Sequence, residues 1–211
     1  MNPPVVAMLR DIVPLRPLRH SEALRIAELQ AQRFLALVGV SQPPVPERVI
    51  AELPKVEIAR LSPFPVSGAT HWAAGRWLVG INGAEPATRQ RFSVAHELKH
   101  IIDHRFVQLI YSQFPENERH DKVEQICDYF AGCLLMPRPW VKRIYCSGVQ
   151  DIAELSRRFG VSQAAMTVRL NQIGLVDPAP RCLPTTSDWT RRALEQIKDR
   201  PLYQRSASYV T

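Results

Sequence analysis

His96 and His100 stand four residues apart in the stretch Arg89-Gln90-Arg91-Phe92-Ser93-Val94-Ala95-His96-Glu97-Leu98-Lys99-His100. In a helix, that spacing puts both imidazoles on one face, one turn apart, where they can share a cation. Neutral imidazole suits zinc. Glu97 follows the first histidine, about 100° around the helix. From there it can reach a water polarised by the metal without occupying a coordination position. This is the HExxH arrangement, whose chemistry is metal-assisted hydrolysis of a peptide bond.

A catalytic zinc site takes three protein ligands and keeps one position open. The segment Glu124-Gln125-Ile126-Cys127-Asp128 places two carboxylates one helical turn apart. Glu124 is a candidate third ligand. Asp128 is a candidate acceptor for the second ring N–H of a liganding histidine, which would fix its tautomer and raise its basicity. The bland alternative is a pair of solvated acids. Against it, the residues from Ile126 to Leu135 are largely apolar, so this helix is substantially buried. A developing oxyanion needs a further donor. His104, which continues the i, i+4 series after His100, and Tyr129 are candidates; so are His120 and Tyr111. A histidine at a helix C-terminus also serves the helix dipole, so His104 has a structural reading as well.

The elements that must carry these residues follow from periodicity. Phe92, Ala95, Lys99 and Ile102 mark a helix over 88–104. Val123, Ile126, Phe130 and Leu134 mark another over 121–136, closed by Pro137 and Pro139. Upstream, Leu24, Ala27, Ala31, Phe34 and Val38 form the stripe of a helix over 21–38, and a short helix is expected over 46–53. Residues 56–61 alternate as a strand, and 68–73 and 76–81 flank Ala74-Gly75 as a hairpin. The expected fold class is α+β: a helical domain with a small three-stranded antiparallel sheet, followed by a short helix-turn-helix-like pair. The expected divisions are an extended, weakly packed arm over 1–20, a metal-binding domain over 21–148, the helix pair over 149–175 packed on it, and a tail over 176–211. Within that tail, 188–197 reads as helical.

The stretch Arg89–His100, then Glu124–Asp128, then Phe130-Ala131-Gly132-Cys133-Leu134-Leu135-Met136-Pro137 resembles the ImmA/IrrE family of metallopeptidases. The likeness extends upstream to Pro43-Pro44-Val45 and Gly68…Ile81-Asn82, and downstream to Phe159-Gly160-Val161-Ser162…Met166…Arg169-Leu170. It spans roughly 21–175. It implies a minimal gluzincin (zincin-like) fold, with His96, His100 and Glu124 as zinc ligands, Glu97 as general base and Asp128 supporting a ligand. It also implies a protein substrate, a helix-turn-helix transcriptional repressor that is cleaved or inactivated. The same ligand types accept Mn²⁺ or Fe²⁺. Lys99 stands where the family often carries Gly. A lysine beside the site is expected to affect substrate preference or metal affinity.

A different function class is also readable. Residues 151–172 have a helix-turn-helix cadence, with Gly160-Val161 in the turn and Gln163, Thr167, Arg169 and Asn171 as candidate base-reading side chains. On that alternative the chain is a DNA-binding regulator, with the metal structural or a sensor. The net charge of +7 permits nucleic-acid or acidic-protein partners without selecting one. The cluster from Arg191-Arg192 to Arg205 reads as a solvated tail. No apolar run approaches bilayer length, and the first 18 residues lack the order of a signal peptide, so a cytoplasmic protein with no membrane partner is expected. Cys127, Cys133, Cys146 and Cys182 form no CxxC pair and read as reduced, mostly buried thiols.

Overall fold

The computed structural model describes residues 4–176, and those up to Leu175 belong to one compact unit. The tail helix expected over 188–197, the Arg191–Arg205 cluster and Cys182 lie outside the described residues. The chain opens with α1 (Val5–Arg10), then α2 (His20–Leu37) and the single turn α3 (Arg48–Ala51). The strands β1 (Val56–Leu61), β2 (Gly68–Ala73) and β3 (Arg76–Asn82) follow. The remaining elements are α4 (Ala87–Asp103), α5 (Val107–Ile110), α6 (Glu116–Leu135), α7 (Arg138–Cys146), α8 (Ile152–Phe159) and α9 (Gln163–Ile173). The α+β class therefore stands, with three strands where three were expected. None of the described helices is long and apolar enough to cross a membrane.

The core lies where α2 and α4 each pack against α6. Phe34 from α2, Leu98, Ile101 and Ile102 from α4, and Ile126, Phe130 and Leu134 from α6 are all buried. Each such side chain contributes about 1.5–3 kcal/mol on leaving water. This apolar seam clamps α4 against α6 and thereby fixes one metal-ligand candidate helix against the other. Helix α6 begins earlier than the apolar stripe alone suggests. Pro115 precedes it, and Glu116 and Glu118 occupy its first turn, where carboxylates favour the positive end of the dipole.

The sheet is mixed, not antiparallel. Its order is β1-β3-β2. β1 pairs parallel with β3, with Val56 opposite Trp77, and β2 pairs antiparallel, with Trp72 opposite Trp77. A simple meander would have put β2 in the middle, because consecutive strands are usually neighbours. Instead, residues 62–67 carry the chain past the place of β3. The strand with the most apolar inner face takes the centre, and its Val79 and Ile81 are buried.

Residues 4–19 are not the extended, weakly packed arm that their prolines suggest. Leu9, Val13 and Leu18 are buried. The Arg10 guanidinium donates to the carbonyls of Ile101 at 2.7 Å and Ile102 at 3.0 Å. These belong to the last turn of α4, whose carbonyls lack intrahelical donors. A cation there satisfies them and favours the dipole. The segment is thus a C-terminal brace for the helix that carries His96 and His100.

The helix pair is well capped. Asp151 accepts from the Glu154 N–H at 2.7 Å, and Ser162 from the Ala165 N–H at 3.1 Å. Gly160 ends α8 at φ 64°, and a side chain added there would meet the Arg91 guanidinium at 3.3 Å. Arg169 does not fit the base-reading role. It is 1% exposed; its Nε donates to the Met136 carbonyl at 2.9 Å and its Nη1 to Gln172 at 3.3 Å. The guanidinium satisfies the carbonyl that follows α6, so it faces inward. Thr167 turns its hydroxyl to the Gln163 carbonyl at 2.9 Å. Gln163 and Asn171 remain exposed.

Candidate metal centre

Helix α4 presents His96, Glu97 and His100; helix α6, held beside it by the core, presents Glu124, Cys127 and Asp128. The two Nε2 atoms of His96 and His100 lie 3.1 Å apart. The Glu124 carboxylate sits 3.2 Å from His96 Nε2 and 3.3 Å from His100 Nε2. A cation bound tetrahedrally at about 2.0 Å from its ligands sees them about 3.3 Å apart. Three donors therefore converge at the spacing that a zinc-sized ion requires, and their chemistry, two imidazoles and a carboxylate, suits it. On the far side of the His96 ring, Nδ1 lies 2.8 Å from Asp128 Oδ1. That contact turns Nε2 toward the centre of the triangle.

Sequence reasoning passed over Cys127. Its Sγ lies 3.8 Å from His100 Nδ1, and His96, His100 and Cys127 offer donor atoms within 4.8 Å of one another. The thiol approaches the nitrogen of His100 that faces away from the triangle. It is buried, and burial pushes the thiol well above its usual range, against the thiolate that a metal would need. Glu124 is the better third donor on both counts. The signal for Cys127 was present in its position, one turn from both Glu124 and Phe130 on the buried face of α6.

The electrostatics follow from this packing. Burial disfavours charge on His96, but the hydrogen bonds to Asp128 and Glu124 outweigh it and hold its pKa up at about 9. The Glu124 carboxyl is pushed far below the usual range by its hydrogen bonds to His100 and His96, against the cost of burial.

Glu97 is buried and points toward the sheet. Its Oε2 accepts from the Thr70 hydroxyl at 2.6 Å. Its Oε1 lies over Gly68, where an added Cβ would approach to 2.8 Å. Thr70 and Gly68 alternate onto the same face of β2, so this edge strand fixes the carboxylate. Neither residue was identifiable from the helical motif, because the contact comes from a strand 27 residues earlier.

A cleft of about 700 Å³ opens over these groups, bounded by Gly68, Ala69 and Thr70 of β2, by Phe92 and by His96, His100 and Glu124. His104 and His120 reach its wall. Tyr129 does not line it; this side chain is 3.4 Å from Glu28, and burial raises its pKa. Tyr111 is buried, donates to Asp103 and is pushed up by burial and by that carboxylate. Lys99 also leaves the site. It is 1% exposed, with Nζ 2.7 Å from Asp103 and 2.8 Å from Gln30. Its place on α4 turns it to the core, so the expected influence on substrate at the cleft has no contact to act through.

The sequence pattern of the peptidase family described as the IrrE N-terminal-like domain matches residues 54–171. The radiation response metalloprotease IrrE of Deinococcus radiodurans is 30% identical over 99 residues, which cover 44% of this chain and 30% of that protein. A Mycobacterium tuberculosis transcriptional regulator has a similar structure, with a TM-score of 0.61 and 19% identity over 85% of this chain and 54% of that one. The chain thus spans under a third of the first protein and about half of the second.

Proposed function

The chain belongs to the IrrE N-terminal-like peptidase family, and from that premise we propose that it is a zinc-dependent endopeptidase acting on a protein substrate. The carrying observation is the convergence of His96 Nε2, His100 Nε2 and the Glu124 carboxylate at 3.1–3.3 Å, beside a carboxylate already fixed in place. In this reading those three side chains bind the cation, Asp128 orients His96, and Cys127 supports His100. Zinc is assigned because the HExxH pair with a carboxylate third donor is a catalytic zinc set; the same donors accept Mn²⁺ or Fe²⁺.

When bound, the cation supplies Lewis acidity to the attacking water and the scissile carbonyl. The rest is done by the chain. Glu97 takes the proton of the attacking water and returns it to the departing amine nitrogen. The Thr70 hydroxyl occupies Oε2, which leaves Oε1, over Gly68, to carry that proton. The substrate lies extended along β2, an edge strand whose Gly68 and Ala69 border the cleft. His104 and His120, on the cleft wall, are the candidates for steadying the oxyanion; Tyr129 is not among them.

The substrate assigned is a helix-turn-helix transcriptional repressor, on the resemblance of Arg89–His100 and Glu124–Pro137 to the ImmA/IrrE family. The test incubates the purified protein, loaded with Zn²⁺, with candidate helix-turn-helix repressors from the same genome. Cleavage is expected, is abolished by chelator and is lost in Glu97→Gln. Cleavage by Glu97→Gln at the wild-type rate would remove the mechanism.

A further inference from the structure

The cleft continues past Glu97. Trp77 and His104 wall it, and the same two residues wall a second hollow of about 490 Å³ toward α1. A cross-strand pair of tryptophans forms one side of this hollow. Trp72 lies opposite Trp77, the rings meeting edge-on at 5.1 Å, and the His104 ring packs edge-on against Trp77 at 4.8 Å. Trp72 is 43% exposed. An aromatic pair held rigid by a ladder and left open to water offers apolar area at little entropic cost to a partner.

Charge is arranged around this shelf with one sign. Arg10, Lys55 and Arg105 border it, and among the described residues no Asp or Glu does. Of the nearby acids, Glu57 pairs with Arg76 at 3.2 Å and Asp103 with Lys99 at 2.7 Å. Lys55 is held at φ 65°, and its carbonyl accepts from the Trp77 N–H at 2.7 Å. A non-glycine residue in that conformation is uncommon, and here it pins a cation beside the aromatic shelf.

Spacing relates the shelf to the reacting bond. Thr70 and Trp72 lie on the same face of β2, two residues apart, so about 7 Å of strand separates them. An extended substrate aligned with β2 advances at the same rise. The side chain that reaches the shelf is therefore two residues from the one beside Thr70 and Glu97.

We propose that the Trp72–Trp77 shelf is a specificity subsite for an acidic segment of the protein substrate. A large aromatic or aliphatic side chain rests on the two tryptophans, and a neighbouring Asp or Glu is met by Lys55 and Arg105. Its use in cleavage rests on the peptidase reading; its capacity to bind does not. Aromatic rings among cations also suit single-stranded nucleic acid. A peptide is the better occupant because Trp77 and His104 belong to the shelf and the cleft alike.

The test uses the full chain with two peptide series, identical except that Phe-Glu or Phe-Lys is stepped along the sequence. Cleavage is measured on the zinc-loaded protein, and binding on Glu97→Gln by quenching of tryptophan fluorescence. Phe-Glu is expected to be preferred by at least about fivefold at one position, through KM and through binding, the scale of one or two partly exposed ion pairs. The double variant Lys55→Glu/Arg105→Glu, at two exposed positions, is expected to invert that ratio. Trp72→Ala is expected to abolish the preference for Phe over Ser there; if it does not fold, the charge inversion still decides. Equal treatment of Glu and Lys in both assays overturns the proposal. So does quenching by an oligonucleotide where acidic peptides cause none. Selective quenching without cleavage of any peptide would sink the peptidase reading and leave the shelf standing.

Discussion

Replacing Gly68 by alanine separates catalysis from stability at a single atom. The new Cβ would lie 2.8 Å from Glu97 Oε1, 3.2 Å from Cγ and 3.3 Å from Cδ. Ordinary carbon contacts start near 3.5 Å, so the carboxylate must retreat by roughly half an ångström or more. It cannot retreat without disturbing the 2.6 Å bond from Thr70 that sets its direction. A misplacement of about 1 Å at a reacting group costs around a hundredfold, so kcat is expected to fall about ten- to hundredfold. Stability should move little: the gain of alanine over glycine in extended backbone, about 0.5–1 kcal/mol, is offset by the disturbed hydrogen bond of the buried Glu97 carboxylate. Zinc affinity should not change, because neither Gly68 nor Glu97 belongs to the metal triangle. The assay is kcat and KM on a cleaved peptide, with thermal unfolding and competitive zinc titration on the same preparation. Thr70→Val, which removes the hydroxyl but keeps the shape, should lower kcat in the same direction. Wild-type kcat in Gly68→Ala would refute the placement of the base. A loss of zinc affinity equal to the loss of rate would refute the division between base and metal ligands.

Other perturbations probe the remaining parts. Asp128→Asn weakens the hold on His96, and zinc affinity should drop about ten- to hundredfold by competition with a chromogenic chelator; Glu124→Ala should cost more than that, and Cys127→Ala less than Glu124→Ala. In the metal-free protein His96, at about 9, is protonated at pH 7, so zinc binding must expel about one proton. Titration calorimetry in buffers of different ionisation heat measures that number, and apparent affinity should rise with pH until about 9. By the same linkage, the stability that charged His96 lends the metal-free protein is fully present below 6.5 and is lost as pH rises through about 9. Lys99→Met removes one member of a buried pair and leaves Asp103 with the Tyr111 hydroxyl but no cation, which should cost about 3–5 kcal/mol in denaturant unfolding with the cleavage rate of the folded protein unchanged. An unaltered midpoint would show that the Lys99–Asp103–Tyr111 cluster carries no stability.

The parts of the site legible in the sequence are those set by helical spacing. His96 with His100, and Glu124 with Asp128, each share a face of one helix, and periodicity states that directly. What had to be seen in three dimensions crosses the chain. Thr70 and Gly68 reach Glu97 from a strand, and Cys127 reaches His100 from the buried side of α6. The sheet was mispaired because local alternation carries no record of which strand takes the centre. Prolines hid the brace made by α1 and Arg10, whose purpose lies at the end of α4, about 90 residues away. Lys99 and Arg169 misled in the same way. Their charge suggested solvent or a ligand, whereas Asp103 and the Met136 carbonyl give each an interior partner.

The central claim is that His96, His100 and Glu124 together hold the catalytic ion. A crystal of the zinc-loaded protein, with an anomalous difference map recorded at the zinc edge, tests it directly. The account predicts one peak about 2.0–2.2 Å from His96 Nε2, His100 Nε2 and a Glu124 carboxylate oxygen, with Asp128 still on His96 Nδ1 and a position open toward Glu97. A peak about 2.3 Å from Cys127 Sγ, with Glu124 turned away, would contradict it.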